Sequence, residues 1–302
     1  MRLTLRQLAI FRTIAQHGST TRASAVLSLS QSATSAALQE LEHALGAQLF
    51  DRAGKRLVLN VNGQGLLPQA IQLLEAAAQI EDGFQHADIG GRLRVGCSTT
   101  IGNYLMPALM KALSKRAPKV KVDVIMGNSA DIARHAAQLS IDLGLIEGPC
   151  HLADLSARLW CEDELLIVAA AEDPLAKTAK VSLHQLASAR WLLREPGSGT
   201  AEQVSELLLP HLKHWPHTQE VGSSEAIKHM VAAGLGISCL SRRVVGDLIA
   251  QGQLVVLRHG LPALTRPFYE VHHRNKFVSR AMEEFLQILE GFPSAYRRPC
   301  SA

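Results

Sequence analysis

Four short runs of this 302-residue sequence gather hydroxyl, amide and glycine residues where an apolar run gives way to a helical pattern: Ser98-Thr99-Thr100, Asn128-Ser129, Gly197-Ser198-Gly199-Thr200 and Ser223-Ser224. Each offers free backbone N–H groups and O–H donors at a helix start, a combination that suits a small anion. The same residue types also cap helices, so each junction taken alone reads either way. Glu147 follows the apolar run 141–146 and is expected to face the same cleft. A carboxylate beside an anion is repulsive unless one of the two carries a proton, so Glu147 is expected to accept a hydrogen bond from a protonated or amine-bearing ligand. Its alternative is a surface turn in Glu-Gly-Pro. No run resembles a phosphate loop with its lysine, which argues against a nucleotide.

A second set lies near the N-terminus. Gln31, Ser32, Thr34, Ser35 and Gln39 share a stretch with Ala33, Ala36 and Ala37 that is slim and rich in small polar groups. A major groove about 12 Å wide admits such a helix, and glutamine can pair bidentately with adenine. A solvated helix face is the plainer reading. Arg52, Lys55 and Arg56 cluster close behind, where they would meet phosphates or a minor groove. Residues 1–66 carry seven Lys and Arg against Glu40, Glu42 and Asp51, so the chain's whole formal excess of +4 falls there. A basic module on a neutral body suits a polyanion.

The elements that must position these groups follow from spacing. Leu8, Phe11 and Ala15 mark a first helix ended by Gly18, and Ser19 or Thr20 can cap a second carrying Ala23, Val26 and Leu27. After the break Ser28-Leu29-Ser30, Ser30 can cap a third helix with the stripe Leu38, Leu41, Leu45, ended by Gly46. Two short helices about a three-residue turn have helix-turn-helix spacing. Residues 51–60 read as a hairpin turning at Gly54, with Leu57 and Leu59 inward. Leu66, Ala70, Leu73, Ala77, Ile80 and Phe84 then fall at heptad spacing, with Pro68 near the first turn of that helix. This is a dimerisation seam or a core helix of its own domain. Ala87-Asp88-Ile89-Gly90-Gly91 reads as a hinge.

From Arg92 onward strand and helix patterns alternate. Strands are expected at 93–97, 120–126, 141–146, 165–170, 191–193, 236–240, 254–257 and 268–272, with helices at 104–117 and 129–139. Such alternation argues for α/β sheets with parallel pairing.

The run GSTTRASAVLSLSQSATSAALQELEHALGAQLFDRAGKRLVLNVNGQ resembles the DNA-binding module of LysR-type transcriptional regulators, through Gly18-Ser19, Ala23, Gln31, Ala33, Ser35, Leu41-Glu42, Leu45-Gly46, Leu49-Phe50 and Arg52. Many members carry Arg where this chain has Ala36, and Ser24 replaces the second small residue of the usual alanine pair. The resemblance extends over nearly the whole chain. It is close to the YeiE-like branch through IGNYLMP, GNS, LGLIEGPCH, EDEL, REPGSGT and SEAIKH. It implies α/β architecture overall, with an all-α winged helix-turn-helix at 1–60 and a linker and dimerisation helix at 61–90. An effector domain of the periplasmic-binding-protein type follows at 91–302, its lobes at about 91–163 with 266–302 and about 164–265. It also implies double-stranded operator DNA, a small-molecule effector and a second copy of the chain as partners, in a dimer or tetramer. For that branch the effector is expected to be a small oxyanion such as sulfite.

Other chemistry is weakly supported. His211, His214 and His217 are separated by the helix breaker Pro216, and His272-His273 point to opposite faces of a strand, so no metal site is expected. Cys97, Cys150, Cys161, Cys239 and Cys300 contain no C-x-x-C pair; Cys97 and Cys239 are expected to be inert core thiols. Arg242-Arg243 is expected to be a salt-bridging surface pair. No nucleophile constellation stands out by spacing, and no cofactor is expected. No apolar run reaches the roughly 18–20 residues of a membrane span, and the charged N-terminus lacks a signal-peptide pattern, so a cytoplasmic protein is expected. The alternative to a regulator is a cytosolic solute-binding or enzymatic α/β domain with an accessory helical head.

Overall fold

A computed structural model describes residues 3–54, 56–85, 89–215 and 217–292, with the side chains of 79 and 81–85 left aside. The expectations on Lys55, the Phe84 side chain, Ala87-Asp88, Pro216 and Cys300 lie outside the described residues. The chain divides into two compact units, Met1–Asp88 with Asn275–Ser279, and Ile89–Arg274 with Arg280–Ala302.

The first unit contains α1 (Leu5–His17), α2 (Thr20–Val26), α3 (Gln31–Leu45), the hairpin β1 (Phe50–Ala53) and β2 (Arg56–Leu59), and α4 (Val61–Gln85). Local signals set each boundary. Thr4 and Gln7 form a capping box on α1, and Gly18 ends it at φ +63°. Ser19 caps α2, Ser30 caps α3, and Gly46 closes α3 in the left-handed region. Leu8, Phe11, Ile14, Leu38, Leu41 and Leu49 form the core.

Two stripes differ from their sequence reading. On α3 the inward positions are Thr34, Leu38 and Leu41, while Leu45 is 42% exposed; Val26 on α2 is also exposed. On α4 the heptad divides in two. Ala70 is fully buried in the unit's own core and Leu66 packs on it, whereas Leu73 and Ile80 are 50% and 63% exposed. The first half of α4 must cover the apolar side of α1 and the hairpin, so Leu66 and Ala70 are core positions rather than seam positions. Pro68 lies inside α4 rather than at its first turn, because the helix begins at Val61. Gly63 makes that early start feasible, since a Cβ there would lie 2.1 Å from the Leu49 carbonyl oxygen.

The second unit runs β3 (Gly90–Ser98), α5 (Thr99–Tyr104), α6 (Met106–Arg116), β4 (Lys119–Gly127), α7 (Ser129–Ala137), β5 (Leu143–Glu147), β6 (Leu155–Ala170), a 3-10 turn (Pro174–Lys177), α8 (Leu183–Ser188) and β7 (Trp191–Arg194). It continues through α9 (Gly199–Leu212), β8 (Thr218–Val221), α10 (Ser224–Ala232), β9 (Ser238–Ser241), α11 (Arg242–Ala250), β10 (Leu254–Val256), β11 (Thr265–His273) and α12 (Arg280–Glu290).

The pairing is mixed rather than purely parallel. β3 pairs in parallel with β4 and β5, and β7 with β8, but β11 runs antiparallel to β5 and to the first part of β6. The later part of β6 pairs antiparallel with β9 and β10. The 16-residue β6 thus belongs to both lobes. Its run Leu165–Ala170 is apolar throughout because both faces are covered. Leu165, Ile167 and Ala169 enter one cluster with Trp191 and Val204, and Leu166 and Val168 enter another with Ile227 and Leu240.

Candidate functional site

The face of α3 away from the core presents Gln31, Ser32, Ala33, Ala36 and Gln39 as exposed residues, with Ser35 half-buried. Thr34 does not belong to it. At 0% exposure it faces the core, and its hydroxyl donates to the Ser30 carbonyl at 3.1 Å. The cause is helical phase, since 34, 38 and 41 lie on the core side while 32, 36 and 39 lie opposite. Glu42 accepts from the Leu49 N–H at 2.8 Å, which ties the end of α3 to the hairpin and leaves its outer face open. The hairpin turns at Gly54, φ +61°, and exposes Arg52 and Arg56 beside it.

In the second unit the four predicted junctions are helix starts, and they behave differently. Asn128 and Ser223 spend their side chains as caps, accepting from Asp131 N and Ala226 N, whereas Ser98 and Ser198 make no capping bond. Glu147, 2% exposed, stands between them. Thr100 N donates to its Oε1 at 3.0 Å and the Thr200 hydroxyl to its Oε2 at 2.9 Å. The Ser129 hydroxyl donates to its carbonyl at 2.9 Å and accepts from its N–H at 3.1 Å. Gly199 passes so close that a Cβ would lie 1.8 Å from the Glu147 carbonyl oxygen.

Sequence reasoning missed the cation that completes this cluster. Arg266, 1% exposed, pairs with Glu147 through Nη1 and with Asp163 through Nε at 2.9 Å. Its Nη1 also reaches the Thr200 hydroxyl at 2.6 Å, and its guanidinium lies 5.2 Å from the centre of the Phe268 ring. Asp163 accepts further from Ser241 and Arg243. Arg242 pairs with Glu164, so Arg242-Arg243 does form ion pairs, but Arg243 reaches a buried carboxylate rather than a surface one. Burial favours the neutral form of Glu147, yet Arg266 and the surrounding donors outweigh it and hold the carboxyl below its usual range. Glu147 is therefore held as a carboxylate whose oxygens already take partners inside the protein, which is the acceptor form that the expected hydrogen bond from a protonated or amine-bearing effector requires. Thr100, Ser129 and Thr200 are committed to the same cluster and are structural before they are anything else. The signal that could have revealed Arg266 was a lone arginine next to the Pro267-Phe268-Tyr269 run at the start of the strand.

A second arginine was also missed. Arg194 ends β7 with a side chain only 2% exposed. Its Nη1 donates to the Thr99 hydroxyl at 3.0 Å and the Ser224 hydroxyl at 2.8 Å. Its Nε and Nη2 form a fork on Glu195, at 2.7 and 2.9 Å. Asn128 Nδ2 reaches the same carboxylate at 3.5 Å. Burial opposes the charge on Glu195, but the Arg194 fork more than offsets it, so its carboxyl is held below the usual range. Thr99, Asn128, Arg194 and Ser224 thus bring α5, α7, β7 and α10 together around the Arg194–Glu195 ion pair between the lobes. Burial pushes the Cys97 and Cys239 thiols up to about 12, in keeping with inert core positions. Among the described residues no group of histidines, cysteines and carboxylates is arranged to hold a metal, and no helix is long and apolar enough to cross a membrane.

A helical head with a basic hairpin, in one chain with a two-lobed α/β unit, matches two family profiles: the bacterial regulatory helix-turn-helix protein, lysR family, over residues 5–64, and the LysR substrate binding domain over residues 86–293. The chain belongs to the LysR family. This LysR-family chain is 48% identical over 286 residues to the HTH-type transcriptional regulator YeiE of Escherichia coli, covering 95% of this chain and 97% of that one. A full-length OxyR variant from Pseudomonas aeruginosa shares its fold at a TM-score of 0.78 and 26% identity, covering 100% of this chain and 99% of that one. The CcmR regulatory domain of Synechocystis, solved in complex with 2-PG, matches at a TM-score of 0.61 and 27% identity, covering 70% of this chain and 100% of that domain. The LysR-family chain is a DNA-binding transcriptional regulator with an effector-binding domain, and its relatives are named regulators rather than enzymes.

Proposed function

We propose that this regulator acts in the cytoplasm as a dimer or tetramer whose heads bind an inverted repeat, and that a small oxyanion, sulfite or a relative, is its effector. Half-sites about 10 base pairs apart suit paired helix-turn-helix heads. Gln31, Ser32, Ser35 and Gln39 read base edges, and Arg52, Lys55 and Arg56 hold the backbone. Leu73 and Ile80 are the exposed remainder of the α4 seam and serve a partner helix, with Ala77 between them.

The observation that carries the effector reading is Arg194, a nearly inaccessible guanidinium between the lobes with the Thr99 and Ser224 hydroxyls on one nitrogen. Arginine forks suit planar and tetrahedral oxyanions. The related CcmR regulatory domain was solved in complex with 2-PG, which supports a small-molecule effector for this domain. Effector residues are then Thr99, Asn128 and Ser198 with Arg194, while Ser98, Thr100, Ser129, Glu147, Gly199 and Thr200 shape the floor. Binding shifts the lobes and biases DNA affinity by about 1–3 kcal/mol, or roughly 5- to 150-fold. The test is DNA affinity on a duplex selected from a random library, with and without millimolar sulfite, sulfate or phosphate. A change outside the salt control supports the reading, and no change with any of the three refutes it.

A further inference from the structure

Two carboxylates meet the anion-like junctions between the lobes, and they are held in different ways. Glu147 is 2% exposed and is gripped by a backbone N–H, a hydroxyl and Arg266, so it cannot leave. The Glu195 side chain is 26% exposed and rests chiefly on the fork of its neighbour Arg194. Its two oxygens sit on Nε and Nη2 in the side-on geometry that two oxygens of a sulfur or phosphorus oxyanion also adopt. Arg194 is fixed from behind by Thr99 and Ser224, so it stays in place whichever anion lies on the fork. Glu195 lies directly after the last residue of β7 and its side chain is already partly exposed, so the carboxylate can turn toward solvent without moving β7.

We infer that Glu195 is an internal stand-in for the effector, seated on Arg194 until an oxyanion displaces it. The inference rests on the effector reading above and deepens it. Binding exchanges one anion for another on a buried cation, so the cation is never left bare, and effector affinity is set by the difference between the two. Glu195 also receives the Asn128 amide from the other lobe. Its departure therefore removes one contact between lobes as the effector supplies another, which gives the exchange a route to lobe movement.

The experiment is titration calorimetry of the full-length protein with sulfite, sulfate and phosphate at constant ionic strength, on wild type, Glu195→Gln and Glu195→Ala. With the internal competitor neutralised or removed, the best-binding probe should gain about 10- to 100-fold in affinity, the size of one charge-assisted contact. The gain should vanish when Arg194→Lys is added, because lysine lacks the fork. Near-UV circular dichroism checks that each variant is folded, and the alanine variant guards against glutamine retaining the hydrogen bonds. Unchanged or weaker affinity in both folded variants overturns the inference, as does absence of binding by any of the three anions to either variant. Binding by the variants alone, with none by wild type, supports the internal competitor while showing that the physiological effector is not among the three probes.

Discussion

Replacing Arg266 by methionine tests the buried cluster that joins β5, β6 and β11. The substitution keeps the volume roughly constant and removes the charge that neutralises Glu147 and Asp163, both 2% exposed. Breaking a buried ion pair from one side destabilises by about 3–5 kcal/mol, since the remaining charge is stranded. At roughly 2–4 °C per kcal/mol for a domain of this size, the melting temperature of the second unit should fall by about 6–20 °C. The pH dependence gives a sharper check. In the wild type the folded Glu147 carboxyl lies below its usual range, so its stabilisation is fully present above the unfolded value near 4.3 and is lost as pH falls through the folded value. In Arg266→Met the stranded Glu147 carboxyl favours protonation, its folded value rises above the unfolded one, and the penalty at pH 7 is relieved as pH falls. Urea unfolding at pH 7 and pH 5 should therefore show the gap between wild type and variant narrowing at the lower pH. Adding Glu147→Gln and Asp163→Asn should recover part of the loss. A loss below about 1 kcal/mol, or one equal at both pH values, would refute the role assigned to Arg266.

Further predictions follow from single positions. Cys97 and Cys239, buried with thiols near 12, should resist a disulfide-exchange reagent at pH 8 in the folded protein and react only on unfolding; rapid labelling of either would contradict their placement. Gly199→Ala forces a Cβ into the Glu147 carbonyl, so it should unfold or displace α9 and depress the melting temperature by several degrees, whereas Gly222→Ala, with open space around it, should not. Leu73→Glu with Ile80→Glu should lower the assembly size seen by light scattering and leave head folding intact, while Ala70→Glu should unfold the head; an unchanged assembly would remove those two residues from the partner contact.

Much of the fold was legible because local chemistry decided it. Gly18, Gly46, Ser19 and Ser30 mark helix ends wherever the chain is placed, and the apolar run Leu165–Ala170 announces a strand buried on both faces. The first part of β6 was missed because exposed Arg158, Leu159 and Glu162 blur its alternation, and β8 because Thr218–Val221 is largely exposed. Both are strands by virtue of their neighbours rather than their own pattern. At the cleft, the four helix starts were visible as runs of small polar residues. The charges that occupy them were not, because Arg266 and Arg194 are far in sequence from Glu147 and Thr99. Thr34 shows the converse case, a residue of the right type for base contact that helical phase turns inward.

The outer side of α3 is assigned to base edges and the basic hairpin to the DNA backbone. Fluorescence anisotropy on a selected duplex and on a scrambled one, for wild type and Gln31→Ala at several salt concentrations, tests it most directly. Wild-type affinity should fall steeply and linearly on a log–log salt plot, with a slope that drops by about one when Arg52 is replaced by alanine. Gln31→Ala should lose about 1–3 kcal/mol of discrimination between the two duplexes while binding the scrambled one as before. Equal losses on both duplexes, or wild-type binding indifferent to salt, would contradict the assignment of this face to DNA.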